Sequence, residues 1–371
     1  MSGRGLLRIR SLADAYEEVG RHAPGFDTLR AVAASAVVLH HATGLSMDLL
    51  AGDPLFAFSR GYTTIGFFAV SFFFCISGFL VTPGLAANGD WIGYLSRRFM
   101  RIVPLLAVVV AATALVIGPL ATRLPLETYF SDPQSWSYFR NITTSLSLEL
   151  PGVVTQEGTN RVNEALWTLR YEVLCYLLLA ALAILGLLAR RWLVLILWLA
   201  ASTLTAVTFE TQGAQSSQFF NLAHLFAYFG AGVLLYLFAP RVPVSAGLAM
   251  LAAILLAAVL WLGLGAVFAP PLTAYLCVAL GLVRFPWSDR AARFDISYGI
   301  YLWHGPVMAM LIEYNAFADW RTFFVATMGA TVVLSALSWT FVEAPSLARK
   351  TWPADLFRNG LVRLRGISRS H

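Results

Sequence analysis

The sequence predicts an all-α protein, a polytopic transmembrane helical bundle of about ten transmembrane helices with both termini in the cytoplasm. Of its 371 residues, 58% are hydrophobic and only 12% are charged, and the mean hydropathy is +0.69. This composition excludes a soluble globular domain, whose surface carries more charge. The apolar segments fall at 28–46, 63–83, 102–120, 166–188, 192–208, 219–238, 245–263, 266–283, 296–314 and 322–342. About 20 apolar residues cross a hydrocarbon core roughly 30 Å thick.

The placement of basic residues supports the same topology. They concentrate in alternate connections: Arg97, Arg98 and Arg101, then Arg190 and Arg191, Arg241, the run 284–293, and Arg349 with Lys350. The opposite connections are short or contain acids, namely Asp48, Asp53, Glu210 and Asp319. By the positive-inside rule the arginine-bearing side is cytoplasmic, so we expect a multi-pass protein of the cell inner (plasma) membrane. The net charge of +6 then reflects topology, and we expect no nucleic-acid partner.

The chain divides into three parts. Residues 1–24 form a cytoplasmic N-terminal segment, either an interfacial helix or a loose tail. Residues 25–345 form the membrane domain, with one long outer loop at 121–165, and residues 346–371 form a cytoplasmic basic tail. Cys75, Cys175 and Cys277 lie singly inside apolar runs, which predicts neither a disulfide nor a metal site.

The first predicted helix carries two ionisable residues on one face. Arg30 and His41 are eleven residues apart, which is three helical turns and roughly 16 Å along the axis. With Arg30 at one membrane surface, His41 would lie near the middle of the membrane, where an ionisable group is a candidate functional residue. A proton relay, a structural ion site and a catalytic base with its charge partner all fit this pair. Asp27, one turn before Arg30, is a suitable ion-pair partner.

An arginine cluster stands where the third helix begins. Arg97 and Arg101 are one turn apart and Arg98 lies beside them, so their guanidinium groups suit a phosphate. Anchoring of the helix at the cytoplasmic surface explains the same residues equally well. Together with a base inside the membrane, the cluster describes a site for a phosphorylated cytosolic donor.

The segment 163–176, NEALWTLRYEVLCY, leads from the outer loop into the fourth helix. Trp167 fits an aromatic belt at the membrane interface. Glu172 lies about two turns into an apolar helix, so we expect Arg170 or a histidine to compensate its charge.

Two further motifs contain polar residues inside apolar helices. His304 precedes Pro306, which kinks a helix, and a histidine there is more often a hydrogen-bonded core residue than a ligand. Ser77 precedes Gly78, where another backbone or a ligand can approach closely.

These motifs, in this order along nearly the whole chain, resemble acyltransferase family 3 of integral membrane acyltransferases. They are LR followed by ten residues and His41, ISGFL, RR-x-x-R-I-x-P, LWTL-x-YE, SYGIYLWH-x-P and FVEAP. The chain departs from the family at Thr168, where many members have serine, and at Glu172, where many have paired glutamates. Many relatives also carry a periplasmic esterase-like domain, which we do not expect here.

The resemblance implies a function and a set of site residues. It implies transfer of an acyl group, acetyl by the habit of the family, from cytosolic acyl-CoA to a hydroxyl of a cell-surface glycan or glycolipid, such as exopolysaccharide or lipopolysaccharide. Acyl-CoA would be a co-substrate and no cofactor would be bound permanently, so the expected partners are the lipid bilayer, acyl-CoA and a glycan or lipid-linked acceptor. The predicted catalytic residues are His41, Arg30 and Glu172, the donor-binding residues are Arg97, Arg98 and Arg101, and the acceptor-binding or supporting residues are Trp167, Asn163, Ser77, Tyr301, His304 and Glu343.

The alternative is a proton-coupled transporter of a small solute or glycan precursor. In that reading His41, Glu172 and His304 relay protons and the outer loop gates a solute. Such transporters are commonly built from two similar halves with broken helices, and the sequence has no internal repeat of this kind.

Overall fold

The computed structural model describes residues 10–20, 23, 25–44, 52–143, 145–154, 161–212, 218–288, 293–315 and 317–367. The predictions for residues 1–9 and 368–371 of the two terminal segments, and for Asp48, lie outside these ranges. The described residues are almost entirely helical. Strands β1 (Arg10–Ser11) and β2 (Pro243–Val244) form a short antiparallel pair in which Arg10 faces Val244.

The helices follow the apolar segments of the sequence. In chain order they are α1 (Leu12–Glu18), α2 (Gly25–Thr43), α3 (Pro54–Phe58), α4 (Ile65–Asn88), α5 (Trp91–Ala112), α6 (Gly118–Ala121), α7 (Leu126–Ser131), α8 (Pro133–Ser137), α9 (Leu166–Ile184), α10 (Arg191–Gln212), α11 (Gln218–Leu237), α12 (Ala246–Trp261), α13 (Gly265–Gly281), α14 (Ser297–Glu313), α15 (Trp320–Ser338), α16 (Ala344–Ala348) and α17 (Trp352–Ile367). In its described residues, each of the ten predicted apolar segments overlaps one of them, and the segments 102–120 and 322–342 continue into a π-helical turn. Single π-helical turns occupy Thr113–Ile117 and Trp339–Glu343, and 3₁₀ turns occupy Tyr138–Thr143, Leu187–Ala189 and Ala239–Arg241.

Among the described residues, five helical stretches are long and apolar enough to cross a membrane by length and composition. They are Ile65–Asn88, Trp91–Ala121, Leu166–Ile184, Arg191–Phe209 and Trp320–Asn359. Three further apolar helices, Asn221–Leu237, Ala246–Trp261 and Gly265–Gly281, are shorter. The structure is therefore a membrane-type helical bundle, and the count of ten spans and the cytoplasmic location of both termini stay predictions.

Helix α4 lies at the centre of the bundle and packs closely against α11. Its first turn is capped by Thr64, whose hydroxyl accepts the Phe67 amide at 3.1 Å. A Cβ atom at Gly78 would overlap the Phe229 carbonyl of α11, and one at Gly232 would overlap the Cys75 carbonyl of α4. Glycine on both sides lets the two backbones meet, as at other close helix crossings in membranes.

Helix α2 is enclosed by four neighbours, α4, α13, α14 and α15. Its N-terminal turn lies against the C-terminal end of α13, where the Phe26 ring fills the space that a side chain at Gly281 would occupy. Phe26 is almost fully buried. The helix that carries Arg30 and His41 is thus held inside the bundle.

The described part of the outer loop is folded. The Tyr129 hydroxyl donates to the Ala114 carbonyl at 2.8 Å, and the Asn141 side-chain amide donates to the Tyr138 and Ser147 carbonyls at 2.8 and 2.7 Å. Thr122 pairs with Val153 in an isolated antiparallel bridge. These contacts fix the loop against the end of α5.

Both terminal segments pack onto the bundle where the structure describes them. Leu12 and Tyr16 of α1 are buried, and the Tyr16 ring lies 5.1 Å from that of Phe79 in α4. Near the other end of the chain, α17 lies against the start of α5, where the Arg358 guanidinium pairs with Asp90 at 2.6 Å. Of the two readings of the N-terminal segment, residues 12–18 agree with the helix.

Candidate active site

A cavity of about 70 Å³ lies between α2, α4, α5, α9 and α14. Six of the predicted site residues line it: Arg30, Ser77, Arg98, Arg101, Glu172 and Tyr301. We call it the central cavity, and we call the end of the bundle where α2, α5 and α14 begin the arginine end. The structure thus brings together residues separated by up to 271 positions in the chain.

At the arginine end, two of these arginines belong to a cluster of ion pairs. Arg101 of α5 pairs with Asp295, and its other terminal nitrogen lies 3.6 Å from Glu343 in the second π-helical turn. Arg30 lies 3.4 Å from Asp27 and 4.0 Å from Asp295. Burial opposes ionisation of Asp295, but Arg101 and Arg30 outweigh it and hold the pKa of this carboxyl below its usual range.

Arg98 and Glu172 line the same cavity, and both contact Tyr176. The Arg98 guanidinium lies 5.7 Å from the centroid of the Tyr176 ring, a cation–π contact. The Tyr176 hydroxyl donates to Glu172 Oε1 at 2.5 Å and lies 3.4 Å from the Ser77 hydroxyl. Within the described residues Arg98 makes no salt bridge, and its buried Nε has no hydrogen-bond partner.

Of the two expected partners of Glu172, Arg170 or a histidine, Arg170 faces another side of the helix. Arg170 stacks on the neighbouring Tyr171 ring at 4.5 Å and donates to the Tyr171 hydroxyl at 2.5 Å. Residues 170 and 172 are about 200° apart on a helix, so they face different sides. The Tyr176 hydroxyl, one turn further along α9, holds the carboxylate instead.

Arg97 and Trp167 lie outside the lining of the central cavity. Arg97 extends toward the connection between α4 and α5, near Gly84 and Asp90. The Gly93 amide, then Arg358 and Arg97, hold the pKa of Asp90 below its usual range. Trp167 stacks on Phe67 of α4, with ring centroids 5.9 Å apart and planes 6° apart.

A pair of histidines lies on the other side of the cavity wall. The His41 and His304 ring centroids are 5.3 Å apart. Helix α2 ends at Thr43, so His41 lies in its last turn and not at its middle. His304 lies in the middle of α14, and its Nδ1 donates to the Tyr301 carbonyl at 2.8 Å. Because a carbonyl only accepts, Nδ1 carries the proton and Nε2 is the basic nitrogen.

Tyr301 separates the histidine pair from the cavity. Its ring lines the cavity and lies 6.1 Å from the ring of His304. Its hydroxyl lies 2.6 Å from the Thr168 hydroxyl and donates to the Ala165 carbonyl at 3.1 Å. Thr168 therefore supplies the hydroxyl that a serine would place in relatives with that residue.

Asn163 holds the end of the outer loop against α14. Its side-chain amide donates to the Leu302 carbonyl at 2.8 Å. Its Cα lies so close to Gly305 that a side chain at position 305 would collide with Asn163. Asn163 is fully buried. The loop that precedes α9 thus reaches the helix that carries His304.

Two acidic residues near the site were not predicted to belong to it. Asp53 is buried and accepts from the amides of Leu55 and Phe56, from the Ile65 amide at 2.9 Å and from His40 Nδ1 at 3.0 Å. Asp295 joins Arg101 to α14. In the sequence both stand in connections between helices, where acids balance nearby charge, and no short-range pattern marked them.

The fold and the site define a membrane-type helical bundle with ionisable groups gathered inside it. The model of the acyltransferase domain family matches residues 24–340. The chain therefore belongs to acyltransferase family 3, and the predicted resemblance is confirmed. It is an acyl-transferring enzyme, and this assignment is preferred to the alternative hypothesis of a transporter.

Three relatives show which proteins the chain is similar to. It is 31% identical to nodulation protein 10 of Rhizobium leguminosarum bv. viciae, covering 92% of this chain and 97% of the relative. It is 26% identical to an O-acetyl transferase of Shigella phage Sf6, with 88% and 96% covered. It is 23% identical to peptidoglycan O-acetyltransferase OatA of Listeria monocytogenes, with 88% and 56% covered. No solved structure matches the chain.

Proposed function

We propose that this enzyme transfers an acetyl group from cytosolic acetyl-CoA to a hydroxyl of a cell-surface glycan or glycolipid, from a position in the inner membrane. The names of the phage and Listeria relatives support O-acetylation. The membrane-type bundle supports a site reached from both faces of a bilayer. Exopolysaccharide, lipopolysaccharide and lipid-linked precursors all offer such hydroxyls.

The observation that carries this proposal is the arrangement around Tyr301. Arg98 lies on the wall of a cavity near the arginine end, and the His41–His304 pair lies on the far side of the Tyr301 ring. Arginine is suited to the phosphates of coenzyme A, with Arg97 and Arg101 nearby. The thin pantetheine arm would extend past Tyr301 toward His41.

The reaction then needs a general base. His41 takes the proton of the acceptor hydroxyl, whose oxygen attacks the thioester carbonyl. The carbon–sulfur bond breaks, the ester remains on the acceptor, and the thiolate of coenzyme A takes the proton from His41. His304 supports the His41 ring, while Glu172 holds Tyr176 across the cavity. Asn163 and Trp167, near the start of α9, would contact an acceptor that enters from the outer side.

Membrane vesicles with the arginine end facing outward test the proposal. Labelled acetyl-CoA is added outside, and label is measured in the glycan fraction. We expect His41→Asn to lower transfer by about 10²–10⁴-fold, the usual contribution of a general base. His40→Asn is the matched control, because it removes the neighbouring imidazole, whose Nδ1 is bound to Asp53. Full transfer by His41→Asn would exclude His41 as the base.

A further inference from the structure

Asp295 lies at the point where three elements of the site meet. It stands two residues before α14, pairs with Arg101 of α5 and lies 4.0 Å from Arg30 of α2. Its second oxygen accepts the Ser297 hydroxyl at 2.5 Å. One carboxylate therefore joins the start of α14 to two other helices.

The charge of this cluster decides which arginine is available to a ligand. Arg30 and Arg101 face three carboxyl groups, those of Asp27, Asp295 and Glu343. A phosphate placed between the two arginines would meet Asp295 and Glu343 at close range, and like charges repel strongly in a buried site. The cluster offers no surplus positive charge for an anion.

Arg98 differs from both. It lines the same cavity, one turn before Arg101, yet within the described residues no carboxylate lies in salt-bridge range of it. Its guanidinium rests on the Tyr176 ring, which orients it without neutralising it. An oriented arginine with an unneutralised charge is the group that binds phosphate.

We propose that Asp295 is a positioning residue, which ties Arg101 and Arg30 to the start of α14 and so leaves Arg98 to bind a phosphate of the acyl donor. This inference rests on the proposed use of acyl-CoA. The three arginines of the cavity have two roles: Arg98 binds the donor, while Arg30 and Arg101 hold helices together, both through Asp295 and Arg101 also through Glu343.

The same contacts set the position of the reacting groups. The Tyr298 hydroxyl donates to the Ile102 carbonyl of α5 at 3.0 Å, and the Arg101 guanidinium lies 5.7 Å from the Tyr298 ring. Tyr301 and His304 follow on the same helix, one and two turns later. Asp295 therefore ties the helix that carries His304 to the helix that carries Arg98, and its loss should impair the transfer step as well as change donor binding.

The test uses the full chain in lipid nanodiscs, with coenzyme A itself as the binding probe and acetyl transfer as a second measurement. Arg98→Gln should weaken coenzyme A binding at least tenfold. Asp295→Asn should tighten coenzyme A binding about tenfold, because Arg101 and Arg30 become available to a phosphate, and should lower kcat. Asp295→Glu should restore both values toward the wild type. Asp319→Asn, on the exposed start of α15, is the matched control and should change neither.

Two outcomes would overturn the inference while leaving the proposed function intact. In the first, the wild-type protein binds coenzyme A, and the Asp295→Asn variant binds it with the same or a lower affinity. The second is used if Asp295→Asn does not fold. Arg101→Gln should then change the affinity for coenzyme A less than threefold. A tenfold loss of affinity would show that Arg101 itself binds the donor. A wild-type protein that binds no coenzyme A overturns the donor assignment and the inference together.

Discussion

Asp53 should be one of the strongest contributors to stability outside the central cavity. Its carboxylate accepts four hydrogen bonds, two at the N-terminus of α3, one from the Ile65 amide and one from His40. It is 6% exposed, so solvent replaces few of these bonds when it is removed. The substitution Asp53→Ala therefore affects a cap, a loop and the last turn of α2 at once.

The magnitude follows from these contacts. Losing the cap costs about 1 kcal/mol. Losing a hydrogen bond to a charged group costs about 1.5–3 kcal/mol, and leaving the Ile65 amide unpaired costs about 1–3 kcal/mol. Because contributions within one network are not additive, we expect a total of about 3–5 kcal/mol. At about 2 °C per kcal/mol, the Tm falls by about 6–10 °C.

The assay is thermal unfolding of the purified protein in detergent, followed by intrinsic fluorescence. Asp132→Ala is the matched control, since Asp132 also precedes a proline and caps a short helix, but through the single bond to Gln134 at 2.8 Å. We expect Asp132→Ala to lower the Tm by only about 2 °C. Equal shifts for the two variants would refute the reasoning, because the His40 and Ile65 bonds would then contribute nothing.

Three further predictions concern the bundle and the cavity. Gly78→Ala should destabilise the protein by about 1–3 kcal/mol or more, because the new methyl overlaps a backbone carbonyl of α11. The control Gly329→Ala places its methyl in open space and should leave the Tm unchanged. Equal Tm values for the two variants would contradict the close packing of α4 against α11. Tyr176→Phe should reduce acetyl transfer about tenfold, because it removes the hydrogen bond that holds Glu172. A variant with the wild-type kcat would show that this bond to Glu172 plays no part in the reaction. Asp295 has a lowered pKa, so its ion pairs stabilise the fold above the ordinary aspartate value of about 3.9 and are lost as pH falls through its lower folded pKa. Asp295→Asn should remove this acid-side component from Tm measured against pH, and an identical profile would show that the pairs do not contribute.

The sequence predicted the helices well because hydrophobic length and the positions of glycine and proline are local properties. All ten apolar segments are mainly helical in their described residues, including the pair 245–263 and 266–283 with its short turn. Arg30, Arg98, Arg101 and Glu172 reach one cavity because helical spacing places them on inward faces, whereas Arg97 points away from it. The Ser77-Gly78 step pointed to Ser77 locally, and the family motifs added Tyr301 and Glu343, which have no local signature of function.

What the sequence did not predict depends on contacts between distant segments. Asp295 meets Arg101 across 194 positions, and no helical period relates residues in different helices. Asp53 was read as a charge in a short outer connection, although it binds His40, thirteen positions earlier. Glu172 was given the wrong partner because Arg170 is near in sequence but faces another side of α9.

The position of the Tyr301 ring has a consequence for proton leakage. The proposed transfer across a bilayer would place ionisable groups in series between two compartments that differ in electrical potential and pH. An aromatic ring between the arginines and the imidazoles interrupts that series, and its hydroxyl is already bonded to Thr168. We therefore expect the resting enzyme to keep protons and small ions from leaking down their gradients, while a slender thioester arm can displace one ring for the length of a turnover.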